Sequence, residues 1–251
     1  MLAAATLISL LALAGDTQED KTFEPSLKKF HDDYYKVGAK DDEKIVAVNT
    51  LAQYRHERIV KVLAPLMKEA SLPVRIMTAR ALSLFVGVEA APREMLAALQ
   101  SQANWGKKGA PVRIELLRGL GSLRYKPASA EVARCVDDKD LWVAKAAIDA
   151  AGKIKVQEAV EPLIKGLRRI EGRDGDGEIS VNPLDAIFPD LGANLVKADP
   201  RHPPPKRPSE RDFLKGPMLT ALQSITKQTH AAGKDWESWW LKNKPSFRVM
   251  E

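Results

Sequence analysis

The strongest constraint on this chain is internal repetition. The segment PVRIMTARALSLF begins at Pro73, and the segment GAPVRIELLRGLGSL begins at Gly109. Both carry Pro-Val-Arg, then a small residue (Ala81, Gly119) and a leucine (Leu82, Leu120) seven and eight positions after the valine. Weaker copies share the register. DDEKIVAVNTLAQY puts Lys44 at the arginine position and Leu51 at the leucine position. FLKGPMLTALQSI puts Lys215, Ala221 and Leu222 there, and DLWVAKAAIDAAGKI supplies Val143, Ala150 and Gly152 with Ala144 in place of the arginine. The arginine positions are separated by 31, 38 and 31 residues, and then by 71, about two periods with an insertion. Periods in the thirties accommodate one helix pair per repeat.

The segments between the copies supply the second helix of each pair. HERIVKVLAPLMKEA places Ile59, Val60, Leu63, Leu66 and Met67 on one face of a 3.6-residue helix. Met95, Leu96 and Leu99 do the same in PREMLAALQSQ, as do Val132, Cys135 and Val136 in SAEVARCV. Val156, Val160, Leu163, Ile164, Leu167 and Ile170 form the longest such stripe. None of these short helices can bury its face alone, so stacking must build a continuous core. Composition agrees: 45% hydrophobic and 29% charged residues exclude a disordered chain. Alternating β-branched runs are missing, so strands are poorly supported. Pro73 and Pro111 suit a first helical turn, Asp42, Asp140 and Ser129 suit caps or first-turn positions, and Ala81, Gly119 and Ala150 are small enough for close helix approach.

The Pro-Val-Arg…Ala-Leu pattern followed by a second apolar helix resembles HEAT and HEAT-like (bilin-lyase-type) repeats. The resemblance covers residues 41–170 well and 213–244 less well. It implies an all-α fold: an armadillo-type α-solenoid, a right-handed superhelix of stacked helix pairs. In that family the arginine after the valine joins a ladder of polar contacts between repeats. Arg75 and Arg113 match it, Lys44 and Lys215 are weaker equivalents, and Ala144 departs from it, so a ladder is expected to be interrupted there. Leu51, Leu82, Leu120 and Leu222 are the matching core leucines.

The division expected is a signal peptide over 1–14, a capping helix within 15–40, repeats over 41–171, an insertion over 172–208, and a last repeat with a capping helix over 209–251. Leu2 to Leu13 is an uncharged run too short to span a bilayer. Ala12-Leu13-Ala14 has the form of a signal-peptidase site, though no lysine or arginine precedes the run. Export to the periplasm or medium follows as an expectation, with no transmembrane segment after cleavage. Leu27, Phe30 and Tyr34 share one face of the capping helix. In the insertion, RDGDGEIS is similar to the middle of an EF-hand loop. The first and twelfth positions would hold Gly172 and Pro183, which offer no carboxylate, so a solvated turn is expected rather than a metal site. RHPPPKRPSER reads as extended polyproline II. Near the C-terminus, DWESWWLKNK places Trp236, Trp239 and Trp240 on one helical face behind Asp235 as N-cap. It resembles the Trp-rich closing helix of exported bacterial HEAT-repeat proteins. An aromatic platform for sugars or bases is the alternative.

No catalytic motif is present: no H-E-x-x-H, G-x-S-x-G, G-x-G-x-x-G or G-K-[ST] occurs. His31, His56, His202 and His230 lack metal-ligand spacing. Cys135 lies among apolar residues and reads as a small buried hydrophobe. No cofactor, metal or catalytic residue is expected. The function expected is a non-catalytic scaffold for protein–protein interaction, with protein or peptide partners. The net charge of +6 leaves an anionic polymer or envelope surface as the alternative. Nucleic acid is disfavoured by export. A HEAT-like enzyme of the bilin-lyase or DNA-glycosylase kind is disfavoured by export and by the missing motifs.

Overall fold

A computed structural model describes residues 23–172 and 209–249. The signal-peptide expectation, His202, and all of the insertion except Gly172, with the acidic turn at Asp174 and Asp176, lie outside the described residues. Every regular element within them is helical. After α1 (23–34) the chain forms α2 (Asp41–Leu51), α3 (Glu57–Leu63), α4 (Leu72–Leu82), α5 (Ala90–Leu99), α6 (Gly106–Ser122), α7 (Ser129–Cys135), α8 (Leu141–Ile154), α9 (Val160–Glu171), α10 (Glu210–Thr226) and α11 (Gly233–Asn243).

The helices pack in two rows. The helices carrying the repeat register, α2, α4, α6, α8 and α10, each lie against the next. The second helices form the other row, in which α3 meets α5 and α9 meets α11. The central helix α8 shows the consequence for sequence. Val143, Ala144, Ala146, Ala147, Ile148, Ala150, Ala151 and Ile154 are all buried, because α6 and α10 press on it from two sides. Leu51, Leu82, Leu120 and Leu222 lie in one continuous core. Phe23, Phe30 and Tyr34 of α1 join that core.

Local chemistry sets the ends. The Ser71 hydroxyl caps α4 by accepting from the Val74 amide, and Asp140 caps α8 by accepting from Trp142 and Val143. Asp42 sits in the first turn of α2. Pro65 shortens the second helix of the first pair, which continues from Leu63 as a 3₁₀ turn over Ala64–Lys68. Three expectations are corrected. Pro111 is not in a first turn, because α6 starts five residues earlier at Gly106; the ring therefore removes the hydrogen bond that would reach the Lys107 carbonyl. Ser129 does not cap α7, because a 3₁₀ turn over Lys126–Ala128 runs straight into that helix and its hydroxyl donates back to the Lys126 carbonyl at 2.7 Å. Asp235 is a first-turn residue of α11, whose N-cap position is Ala232.

The register-bearing row is held tight by residues without bulk. A Cβ on Gly121 would sit 2.9 Å from the Ala150 Cα, so α6 and α8 touch backbone to backbone. A Cβ on Gly152 would sit 3.1 Å from the Ala221 Cα, and the Ser224 hydroxyl donates to the Gly152 carbonyl at 2.8 Å. Helix propensity alone would favour alanine over glycine by about 1 kcal/mol. At Gly121 the clash is with backbone and cannot be relieved by a rotamer change. Gly121→Ala should therefore lower stability by about 1–3 kcal/mol in urea unfolding. A more stable variant would contradict the α6–α8 approach.

Candidate functional site

The cations of the repeat register converge on one edge of the helix stack, where each second helix ends. Lys44 pairs with Glu69 at 3.2 Å. Arg75 donates to the Ala103 carbonyl at 2.5 Å and to Asn104 Oδ1 at 3.0 Å. Arg113 donates to Asp138 at 3.1 Å and to the carbonyls of Asn104 and Gly106 at 3.1 and 2.9 Å. Burial lowers the Arg75 pKa, but a guanidinium keeps its proton. Asn104 links two steps: its buried amide donates to the carbonyls of Met67 and Ala98 while its own oxygen receives Arg75.

At the step where Ala144 replaces the cation, the acceptor is still present. Glu171, at the end of α9, receives Lys215 from the next register helix at 3.0 Å. Its other oxygen accepts from the Gly233 amide at 2.8 Å, so a neighbouring helix supplies the charge at the start of α11. The acceptors Glu69, Asn104 and Asp138 were not singled out from sequence. Their signal was a polar residue 25, 29 and 25 positions after each cation, just beyond the apolar stripe.

Further along the stack, Glu115 of α6 is buried and held by two arginines. Arg80 of α4 approaches in a fork, at 3.1 and 3.2 Å, and Arg118 lies at 2.8 Å. A carboxylate this buried needs such partners. Near the C-terminus, Trp236 and Trp240 point into the core, and Trp236 donates its indole N–H to the His230 carbonyl at 3.0 Å. Trp239 stands edge-on to Trp236 and Phe247. Trp236 and Trp240 thus pack inward, and Trp239 lies half-buried against them. Lys244 at the end of α11 reaches Glu161 of α9 at 2.6 Å; bonds from Lys165 and Lys244 hold that carboxyl down at about 2.

The same edge contains a cleft of about 890 Å³ between the α5–α6 and α7–α8 connections. Leu99, Cys135 and Leu141 line it, with Trp105 on the α5–α6 side. Burial, then the charges of Glu131 and Asp138, push the Cys135 thiol up to about 11. A thiol so protonated is inert at neutral pH. His31 stacks on Tyr35 with Asp32 and Asp33 exposed beside it, and His56 caps α3. Among the described residues no group of three or more His, Cys, Asp or Glu is arranged to hold a metal ion. No described helix is long and apolar enough to cross a membrane.

Residues 96–173 match the family model for HEAT repeats. The matched stretch runs from α5 to the end of α9 and contains Arg113, Ala144 and Glu171. It supports a HEAT-repeat protein. No curated protein matches the chain.

The Glu171 contact has a definite pH signature. Burial pushes this carboxyl up, but the Gly233 amide, the Lys215 ammonium and the Arg211 charge together outweigh it and lower its pKa. A folded pKa below the unfolded one means the stabilisation is complete above the ordinary glutamate value and is lost as pH falls through the folded value. Glu171→Gln should cost about 1–3 kcal/mol at neutral pH. The gap to the parent should narrow below roughly pH 4. Urea melts across that range check this, and a gap independent of pH would show that charge is not what Glu171 contributes.

Proposed function

We propose that this chain is a non-catalytic HEAT-repeat scaffold that mediates protein–protein interaction, exported to the cell envelope or medium. The observation that carries the reading is the use made of its polar side chains. The cations of the repeat register are committed to the ends of second helices, Glu115 is committed to Arg80 and Arg118, and the one thiol is held protonated. Helix stacking thus engages the polar groups held within the stack and leaves a long surface. HEAT repeats commonly bind proteins, which supports a protein partner by fold analogy.

The arrangement proposed is a right-handed superhelix of helix pairs. The row α2, α4, α6, α8 and α10 forms its inner side, since the backbone contacts at Gly121 and Gly152 shorten the spacing along that row. The helix over 23–34 and α11 serve as end caps, covering apolar faces that no further repeat would bury. Export rests on the apolar run Leu2–Leu13 and the small residues after it.

Affinity capture from envelope extract and medium, with the full chain and with a chain lacking residues 173–208, tests the reading. A defined protein partner held in stoichiometric amount at moderate salt is expected. Retention only on polyanionic resin, falling steeply with salt, would replace the scaffold with an anionic-polymer binder.

A further inference from the structure

We propose that the cleft between the α5–α6 and α7–α8 connections docks an acidic peptide segment carrying one bulky apolar side chain, with Trp105 and Leu141 as the apolar wall and Lys107 and Lys139 as the charged rim. The proposal rests on the scaffold reading and gives it a site and a partner chemistry.

Trp105 is the first observation. Its indole is 54% exposed, the highest value for a large aromatic other than Tyr35 among the described residues. It makes no ring contact with another aromatic side chain there. An exposed tryptophan beside a concavity is the kind of anchor that dominates protein interfaces. Leu99 and Cys135 close the floor beneath it, so a side chain entering the cleft leaves water for an apolar surface.

Charge supplies the second observation and decides the partner. The acids around the cleft are occupied. Asp138 receives Arg113, Asp137 receives Arg169 at 2.6 Å, Glu131 pairs with Arg134 at 3.4 Å, and Asp140 caps α8. Arg113 is also spent, since two backbone carbonyls and Asp138 take its donors. Lys107 and Lys139 remain, with no ion pair or hydrogen bond from either ammonium among the described residues. The lining holds four acids and four cations, and the two charged groups left exposed without a partner at the mouth are both lysines, while the floor is apolar. A ligand complementary to both needs carboxylates flanking an apolar side chain. Both lysines are exposed, so they stand at the rim of the cleft rather than on its floor.

The test uses the full chain and fluorescein-labelled dodecapeptide pools read by fluorescence polarisation. One pool carries Asp and Glu around a central Phe or Leu, a second replaces the anchor by Ala, and a third replaces the acids by Lys. The acidic anchored pool should bind best. Trp105→Ala should weaken it at least tenfold, and Lys107→Glu with Lys139→Glu should do the same with a flattened salt dependence. Lys107→Arg with Lys139→Arg should retain binding, and circular dichroism melts confirm that each variant is folded. Equal binding of the anchorless acidic pool would reduce the site to a charged surface and overturn the proposal. Binding unchanged in the Trp105 or Lys107/Lys139 variants would overturn it as well. Affinity capture separates the two readings. A partner still captured by both variants leaves the scaffold standing without this cleft, and no partner captured by the unaltered chain removes the scaffold itself.

Discussion

The structure depends on the backbone-to-backbone approach of the register-bearing helices. Gly121 lies against Ala150, and Gly152 lies against Ala221. At this spacing a helix can be buried on more than one face, and α8 buries eight of its fourteen residues, five of them alanine. Its apolar residues are small, so dispersion contacts must be gained by proximity rather than by bulk. Larger side chains, such as Leu82, Leu120, Ile114 and Leu163, are fully or nearly fully buried in the same core. Tight packing along one row and bulky apolar side chains belong to the same continuous core.

The polar row on the edge follows from that packing. Where a second helix ends, its last carbonyls lack helical partners. Arg75, Arg113 and Asn104 lie beside those ends and satisfy some of these carbonyls, while Lys44 and Lys215 pair with carboxylates there. Arg113 takes two carbonyls and one carboxylate, and Asn104 joins Met67 and Ala98 to Arg75. The row therefore fixes how each pair sits on the next, which nonspecific apolar burial would leave loose. Where Ala144 removes the cation, Glu171 finds Lys215 and the start of α11 instead, so the row bends toward the next pair rather than ending. The Trp105 cleft opens on the same edge, between two connections that this row holds in place.

Repetition makes the helices legible in the sequence. The leucines at 51, 82, 120 and 222 are set seven residues after each cation, and a helix turns both toward neighbours at fixed angles, so periodicity alone placed them inside. The apolar stripe of α9 was equally readable. Boundaries were less so. Pro111 looked like a start because proline favours first turns, yet glycine and alanine upstream let α6 begin at Gly106. Asp235 looked like a cap, but Glu171 from another helix occupies that role for the Gly233 amide.

The sequence by itself determined helix pairs, their period, the core leucines and the cations of the register, because those depend on local periodicity and side-chain type. Tertiary structure alone decided the partners of those cations, the burial of Glu115 between Arg80 and Arg118, and the inward turn of Trp236 and Trp240. It also brought Trp105 beside Leu141 across 36 residues of chain. The contacts of Lys44 with Glu69, Arg75 with Asn104, Arg113 with Asp138, Lys215 with Glu171 and Arg80 with Glu115 join residues 25 or more positions apart. Their geometry is set by the distance and rotation between stacked helices, which no single helix encodes.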